Sequence, residues 1–479
     1  MNHSMITYIV GFVLKFEATF MLLPCLVALI YKENAGFSYL LMFVICISIG
    51  HILSHKKPKN QVFYAKEGFI MVALSWLVMS IFGAMPFIFT GEIPNFTDAL
   101  FETISGFTTT GASILTDVEA LSHCSLFWRS FTHWIGGMGV FVFILAVLPL
   151  AGGQNIHLLK SESPGPEVGK LVPRLRHTSL ILYGIYFVMT IIQIVLLIIA
   201  KMPLFDAITI SFGTAGTGGF GIKNDSMASY SVHIQNIVTI FMILFGVNFN
   251  AYYLLLRKKR GSIFKMEELR WYFGIIAVSI LIITLNIKDM TTSVWSAFQQ
   301  ASFQVGSIIT TTGYSTVDFN LWPSLSRNIL LLIMMIGACA GSTGGGIKVS
   351  RIIILFKNFK KELQRFVHPR SVKRIKMDGR VVEPSIVHGV SVFLIAYVVI
   401  YAISCTIISL DNFGFETNFS AVAATLNNIG PGLEMAGPMS NFSVFSPLSK
   451  FVLMFDMLAG RLELFPMLLL FSPSIWKER

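Results

Sequence analysis

Four short stretches of the chain end in glycine turns rich in uncharged oxygen atoms: Thr109-Thr110-Gly111, Thr217-Gly218-Gly219, Thr311-Thr312-Gly313 and Asn428-Ile429-Gly430. None of these turns carries a formal charge, so a divalent-cation cage of carboxylates is excluded there. What they offer is backbone carbonyls, which can replace the hydration shell of a monovalent cation when arranged as a ring. Glycine suits such a ring because it adopts backbone angles closed to residues with a Cβ and lets backbone approach the ion. Threonine hydroxyls add further neutral oxygens. The key glycines recur at intervals of 108, 94 and 117 residues, and Asp98-Ala99 and Asp206-Ala207 open the first two stretches, each Asp thirteen residues before its glycine. Four such turns in equivalent positions form an internal repeat of about a hundred residues: span, half-helix, glycine turn, span. The competing reading of the same residues is four re-entrant packing loops in a transporter of another kind.

Elements able to hold the turns follow from composition. Apolar residues make up 54% of the 479 and charged residues 13%, with mean hydropathy +0.71. So few charges cannot cover a soluble surface, and long apolar runs point to helices rather than to a barrel, whose strands alternate every second residue. Runs of spanning length lie near 5–31, 36–53, 68–90, 126–150, 178–200, 233–256, 271–287, 328–355, 386–410 and 448–471, which predicts ten transmembrane helices. The stretches that precede the glycine turns, near 97–107, 204–213, 297–308 and 419–428, are too short to cross. Ten residues at ~1.5 Å each reach about half-way through a ~30 Å core. The first run has no basic n-region before it and is too long for a signal-peptide core, so it reads as a retained span.

The net charge of +11 suggests nucleic acid only until its sources are located. Twenty-five of the 36 basic residues fall in alternate connections: 54–67, 151–177, 257–270, 356–384 and the C-terminal tail. By the positive-inside rule these connections and both termini are cytoplasmic, and the glycine turns all open to the opposite side. Acidic lipid or a cytoplasmic partner are secondary uses of the basic loops. Nucleic acid is excluded as a partner. The 5 cysteines and 10 histidines form no metal-spaced cluster, and no nucleophile–base pair supports an enzyme. Nor does the chain carry a nucleotide site: Gly346-Ile347-Lys348 lacks the Gly-Lys-Ser/Thr of a phosphate loop.

Two features interrupt the apolar runs. Gly337 to Gly346, containing Gly341, Gly344 and Gly345 and followed by Lys348, should break its helix in mid-membrane, at ~1 kcal/mol per glycine. It reads either as a close-packed small-residue interface or as an intramembrane loop. Arg461 lies half-way along the last run, where a charge costs ~2.5–3.5 kcal/mol unless it meets a cavity or partner. It pairs with Asp456 or Glu463, or it faces the pore. Glu102 and Glu434 either raise the local cation concentration or hydrogen-bond the shell around the turns. Lys15 and Glu17, in the first run, have helix packing or a subunit contact as their only reading.

Over essentially its whole length the sequence resembles the superfamily of K⁺ transporters that includes TrkH, KtrB and the plant HKT proteins. The resemblance rests on Thr108-Thr-Thr-Gly111, Thr312-Gly-Tyr-Ser315, Asn427-Asn-Ile-Gly-Pro-Gly432, Gly341-Ser-Thr-Gly-Gly-Gly-Ile-Lys348 and Ala459-Gly-Arg-Leu-Glu463. Two spans precede the first repeat, as in TrkH and unlike the eight-span KtrB. The second turn, Thr217-Gly-Gly-Phe-Gly221, departs from the Thr-Thr-Gly form. The resemblance implies an all-α polytopic protein with four K⁺-channel-like repeats around a central pore: spans at 1–54, then repeats at 68–150, 178–257, 271–355 and 386–472, with a basic linker at 356–385. It implies K⁺ as the transported ion, held by the four turns, with glycine rather than serine at Gly111 going with K⁺ over Na⁺. It further implies a gate formed by the loop 337–348 and Arg461 in the bacterial cytoplasmic membrane. Its implied partners are a second copy of the chain and a cytoplasmic, TrkA-like nucleotide-binding ring, for which 356–384 is a contact surface. A Na⁺- or H⁺-coupled symporter with inverted repeats is the alternative; it calls for antiparallel halves and membrane-buried acids.

Overall fold

The computed structural model describes residues 2–58, 65–147, 175–257, 260–263, 265–370 and 373–473. Residues 151–174 of the expected basic segment 151–177, the last residues of the run 126–150, and Lys477 and Arg479 lie outside them.

Two helices, α1 (His3–Tyr31) and α2 (Gly36–Ser54), form an N-terminal hairpin. Asn2 caps α1, its side-chain oxygen accepting from the Met5 N–H. The link between them is pinned to the rest of the molecule by Glu33, which accepts from the backbone N–H groups of His123 (2.8 Å) and Cys124 (3.0 Å). Burial opposes the charged form of Glu33, yet these donors and the His123 ring together hold it below its ordinary value.

Four units of one plan follow. The first is α3 (Ala65–Phe89), the half-helix α4 (Phe96–Phe107) and α5 (His123–Val147). Next come α6 (Leu175–Ile199), the half-helix α7 (Leu204–Gly216) and a second span in two pieces, α8 (Val232–Phe245) and α9 (Phe249–Leu256). A short α10 (Arg260–Ile263) leads to α11 (Glu267–Ile287), the half-helix α12 (Val294–Ile309), α13 (Ser324–Ile336) and α14 (Val349–Val367). The fourth unit is α15 (Pro384–Ile408), the half-helix α16 (Phe415–Leu426), α17 (Pro447–Arg461) and α18 (Phe465–Leu470). Between α14 and α15 lies a small hairpin, β1 (Lys376–Met377) and β2 (Arg380–Val381), paired antiparallel with Lys376 opposite Val381.

The half-helices are 12, 13, 16 and 12 residues long, too short to cross. Their C-terminal ends are wholly buried: Phe101–Phe107 on α4 and Phe303–Ile309 on α12 have no exposed residue. Each therefore stops in the protein interior, with the negative end of its dipole toward the centre. Non-helical backbone at that depth is tolerated because protein, not lipid, surrounds it.

Among the described residues six helices are long and apolar enough to cross, and α8 with α9 makes a seventh if counted as one bent span. Two of the expected continuous spans are broken. The run 233–256 bends by 88° at Gly246-Val247-Asn248, where Asn248 caps α9 by accepting from the Asn250 N–H. The run 448–471 breaks after Arg461, where Glu463 and Leu464 take positive φ of 62° and 65°. Apolar runs do not report such breaks, because hydropathy is blind to backbone direction. The run 328–355 is split, as its glycines predict, into α13 and α14 around the loop 337–348.

Candidate functional site

The four glycine turns meet. In each, φ is positive at the first residue, negative at the second and positive at the third: Thr109 (56°) and Gly111 (80°), Thr217 (54°) and Gly219 (77°), Thr311 (59°) and Gly313 (86°), Asn428 (55°) and Gly430 (101°). Extended backbone points successive carbonyls to opposite sides; alternating handedness turns them to the same side, as a column of cation ligands requires. Three threonines and an asparagine accept the left-handed region at positions where L residues rarely sit, a sign that the surroundings over-determine the turn.

The ring closes in order around the axis. A methyl group on Gly111 would overlap the carbonyl oxygen of Gly218; on Gly219, that of Thr312; on Gly313, that of Ile429. On Gly430 it would lie 2.9 Å from the Thr110 oxygen and 3.1 Å from that of Gly111. Each key glycine thus abuts the carbonyl just before the key glycine of the next repeat, and the fourth returns to the first.

Behind the ring stands a shell of buried polar groups. Thr108 and Thr110 share a hydroxyl hydrogen bond of 2.8 Å, repeated between Thr310 and Thr312. Asn428 donates to the Thr110 hydroxyl (2.9 Å) and the Met457 carbonyl (2.8 Å), tying the fourth turn to the first. Glu102, fully buried on α4, meets Arg129 of α5 at 2.5 Å. It also accepts from the Ser113 hydroxyl and from the Ile114 N–H (3.0 Å), just beyond the first turn. Arg129 in turn donates to the Gly221 carbonyl (2.7 Å) of the second repeat and covers the Phe220 ring. Glu102 is therefore part of the supporting shell. Glu434 is different: it lies on the exposed rim, 3.1 Å from Arg327.

Of three further supports, only Tyr314 lies in a motif, and the sequence by itself assigns a role to none of them. His133 is buried with Nδ1 2.8 Å from the Gly106 carbonyl, and its Nε2 accepts from the Phe220 N–H at 3.2 Å. These partners place the proton on Nδ1, so one ring joins the first half-helix to the second turn. Tyr314 donates to the Ile210 carbonyl (3.1 Å), joining the third turn to the second half-helix. Lys450 of α17 reaches Asp98 in the first turn of α4 at 2.6 Å. Only the wasted cost of burying a polar side chain marks such residues in a sequence, and scattered single residues do not announce it.

The loop 337–348 packs against the starts of the third and fourth turns. The Gly345 N–H donates to the Thr311 hydroxyl at 2.6 Å. A methyl group on Gly344 would approach the Thr310 carbonyl to 2.8 Å, and one on Gly345 would overlap that of Asn427. Gly341 and Gly346 have φ of 67° and 78°, which lets the loop fold tightly, and Lys348 turns back to donate to the Gly344 carbonyl. Arg461 donates to the carbonyls of Thr343 in the loop (2.8 Å) and of Gly136 on α5 (2.7 Å). Glu463 instead meets Arg351 of α14, and Asp456 accepts from the Ser404 hydroxyl at 2.7 Å. The geometry thus brings the twelve turn residues into one ring and Gly341, Gly344, Gly345, Gly346, Lys348 and Arg461 into one cluster packed against it. Glu17 lies apart, buried on α1 and packed toward Gly83 of α3.

The sequence profile of the TrkH family, described as a cation transport protein, matches residues 35–478. Among characterised proteins, the chain is similar to the Trk system potassium uptake protein TrkH of Salmonella typhimurium, at 39% identity with both chains covered in full. It is 38% identical to the Escherichia coli K12 protein of the same name, again over both full lengths. Among solved structures it is similar to the potassium transporter TrkH from Vibrio parahaemolyticus, with a TM-score of 0.89 and 35% identity over all of both chains.

Proposed function

The chain belongs to the TrkH family of cation transport proteins, and on that premise we propose that it takes K⁺ up across the cytoplasmic membrane, through the closed ring of carbonyls at Gly111, Gly219, Gly313 and Gly430. The observation that carries the reading is the ring itself: four turns with one pattern of φ, each packed against the next, with no charged side chain in any of them. The relatives' names supply the ion, since they are potassium uptake proteins. Neutral carbonyls strip a monovalent cation of water without holding it so tightly that it cannot leave.

The loop 337–348 and Arg461 act as the gate. A guanidinium bound to the loop just below the ring repels cations and ties the plug to α5 through Gly136. Inward flow needs no nucleotide in this chain, because the membrane potential supplies ~2.3 kcal/mol per charge per 100 mV. A cytoplasmic, TrkA-like nucleotide-binding subunit controls the gate from the basic cytoplasmic face, and two copies of the chain assemble side by side. Both termini are cytoplasmic, and the chain crosses ten times with the broken spans counted.

The test is Rb⁺ flux in proteoliposomes against Na⁺ competition. Gly111→Ser puts a side chain where the Gly218 carbonyl lies, so the K⁺ over Na⁺ preference falls by about tenfold or more, ~1.4 kcal/mol per decade. Unchanged preference in Gly111→Ser would overturn the carbonyl-ring reading.

A further inference from the structure

One side chain holds both ends of the plug. Glu268, in the first turn of α11 and buried to 4% exposure, accepts from the Ala340 N–H at 2.7 Å and from the Ser350 N–H at 3.2 Å. Ala340 lies in the first part of the loop and Ser350 in the first turn of the helix that leaves it. The other carboxylate oxygen takes the Asn248 amide at 3.4 Å, and Asn248 belongs to the bend between α8 and α9. That bend is itself stitched to the loop: the Cys339 N–H donates to the Gly246 carbonyl (3.1 Å), and the Phe249 N–H to that of Gly341 (3.0 Å). Glu268 thus sits where the broken span of the second repeat meets the broken span of the third, bonded to backbone rather than to a basic partner. A carboxylate bonded to backbone N–H groups fixes where a segment lies, and these charge-assisted bonds are the strong kind.

The residue before it faces the cytoplasmic hairpin. The Glu267 N–H donates to Asp378 Oδ1 at 2.6 Å, Asp378 being in the exposed turn between β1 and β2. Lys357 of α14 bonds both Glu267 Oε2 (2.6 Å) and the Lys376 carbonyl of β1 (2.7 Å). Ile375, Met377 and Val382 of the hairpin are buried in the same core cluster as Leu269 and Ile353. One residue along a rigid helix therefore separates the hairpin's hold on α11 from the loop's attachment to it.

We propose that Glu268 is a latch that keeps the intramembrane loop beneath the filter, and that the hairpin turn at Asp378, by capping α11, sets the latch from the cytoplasmic face. The proposal rests on the reading of the loop as the pore's obstruction, and it makes Glu268 and Asp378 positioning residues. Neither lies in the filter turns, and none of the filter residues bonds to them.

Cys339 is the reporter, a native thiol fully buried at the start of the loop. The experiment uses the full-length chain in proteoliposomes with the other four cysteines replaced by serine. It reads the rate of Cys339 alkylation by a maleimide added at the cytoplasmic side, Rb⁺ flux, and the K⁺ over Na⁺ preference. Glu268→Ala is expected to speed alkylation by about tenfold, the scale of one to two lost hydrogen bonds. Flux rises with it while the K⁺ over Na⁺ preference stays, because the filter is untouched. Glu268→Gln keeps an acceptor oxygen for the loop and stays closer to the parent. Asp378→Ala moves alkylation in the same direction by less, and adds nothing in the Glu268→Ala background. Parent-like protection of Cys339 in Glu268→Ala would overturn the latch. So would effects of the two substitutions that multiply as independent ones. If Glu268→Ala fails to assemble, Asp378→Ala decides: faster alkylation supports the proposal and parent-like protection overturns it. Faster alkylation with no rise in flux supports the latch and overturns the gate reading on which it rests.

Discussion

A side chain at the centre of this molecule is held more by what it would cost to remove its partner than by what it contributes alone. Arg129 and Glu102 are 3% and 0% exposed, and each satisfies the other while bridging two repeats. Glu102→Ala leaves a buried guanidinium without its carboxylate, at about 3–5 kcal/mol. The expected outcome is a lowered thermal midpoint for the detergent-solubilised protein together with weakened ion preference, since Ser113 and Ile114 lose their acceptor beside the first turn. Thermal unfolding followed by tryptophan fluorescence measures the first effect and competitive flux the second. A replacement tolerated with both unchanged would remove the pair from the filter's support. This pair was only half legible in the sequence. Glu102 stood out as an acid inside a short apolar stretch, but its partner lies 27 residues on, and no spacing rule links a half-helix to the following span.

Helices here are defined as much by their ends as by their length. Arg461 closes α17 and ties the loop to α5, so Arg461→Ala removes one hydrogen bond to the loop at Thr343 and one to α5 at Gly136. Hydrogen bonds from a charged group contribute ~1.5–3 kcal/mol each, so the closed state loses at least about a factor of ten. Rb⁺ flux should rise accordingly without a change of ion preference; flux equal to the parent's would take Arg461 out of the gate. At the start of α5, Glu33 caps the helix through His123 and Cys124. Its carboxyl is held below the ordinary value, so its stabilisation is present above the unfolded-state value near ~4.3 and lost as pH falls through the lower folded value. Glu33→Gln should therefore lower the unfolding midpoint at neutral pH, and the gap to the parent should close in strongly acidic buffer. A gap independent of pH would mean that the charge of Glu33 does not act in this cap.

For the molecule as a whole, the charge distribution predicts an orientation. By the positive-inside rule the basic connections are expected on the cytoplasmic side and the glycine turns on the opposite one. Ser229→Cys, in the connection between the second turn and α8, should react with an impermeant maleimide from outside intact cells. His368→Cys, just past α14, should react only after the membrane is opened. The reverse pattern would invert the topology. The parallel placement of four units is also what distinguishes this architecture from two inverted halves: every half-helix descends from the same side to one ring.

Periodicity, composition and four glycines were enough to predict a polytopic helical protein, its half-helices, its four neutral glycine turns and an interrupted third repeat. All of these are local properties: a run of apolar side chains, a turn closed to Cβ, a cluster of helix-breaking residues in one window. The rest depended on which surfaces meet. That Gly111 faces the Gly218 carbonyl, that His133 bridges two repeats, that Glu463 takes Arg351 while Arg461 takes backbone carbonyls, and that Glu268 grips a loop more than seventy residues away are matters of tertiary packing. So are the bends at Gly246-Val247-Asn248 and after Arg461, since an apolar run keeps its hydropathy whichever way its axis turns. A buried polar side chain is stable only with a partner, and the partner is chosen by the fold at distances along the chain over which sequence spacing carries no information.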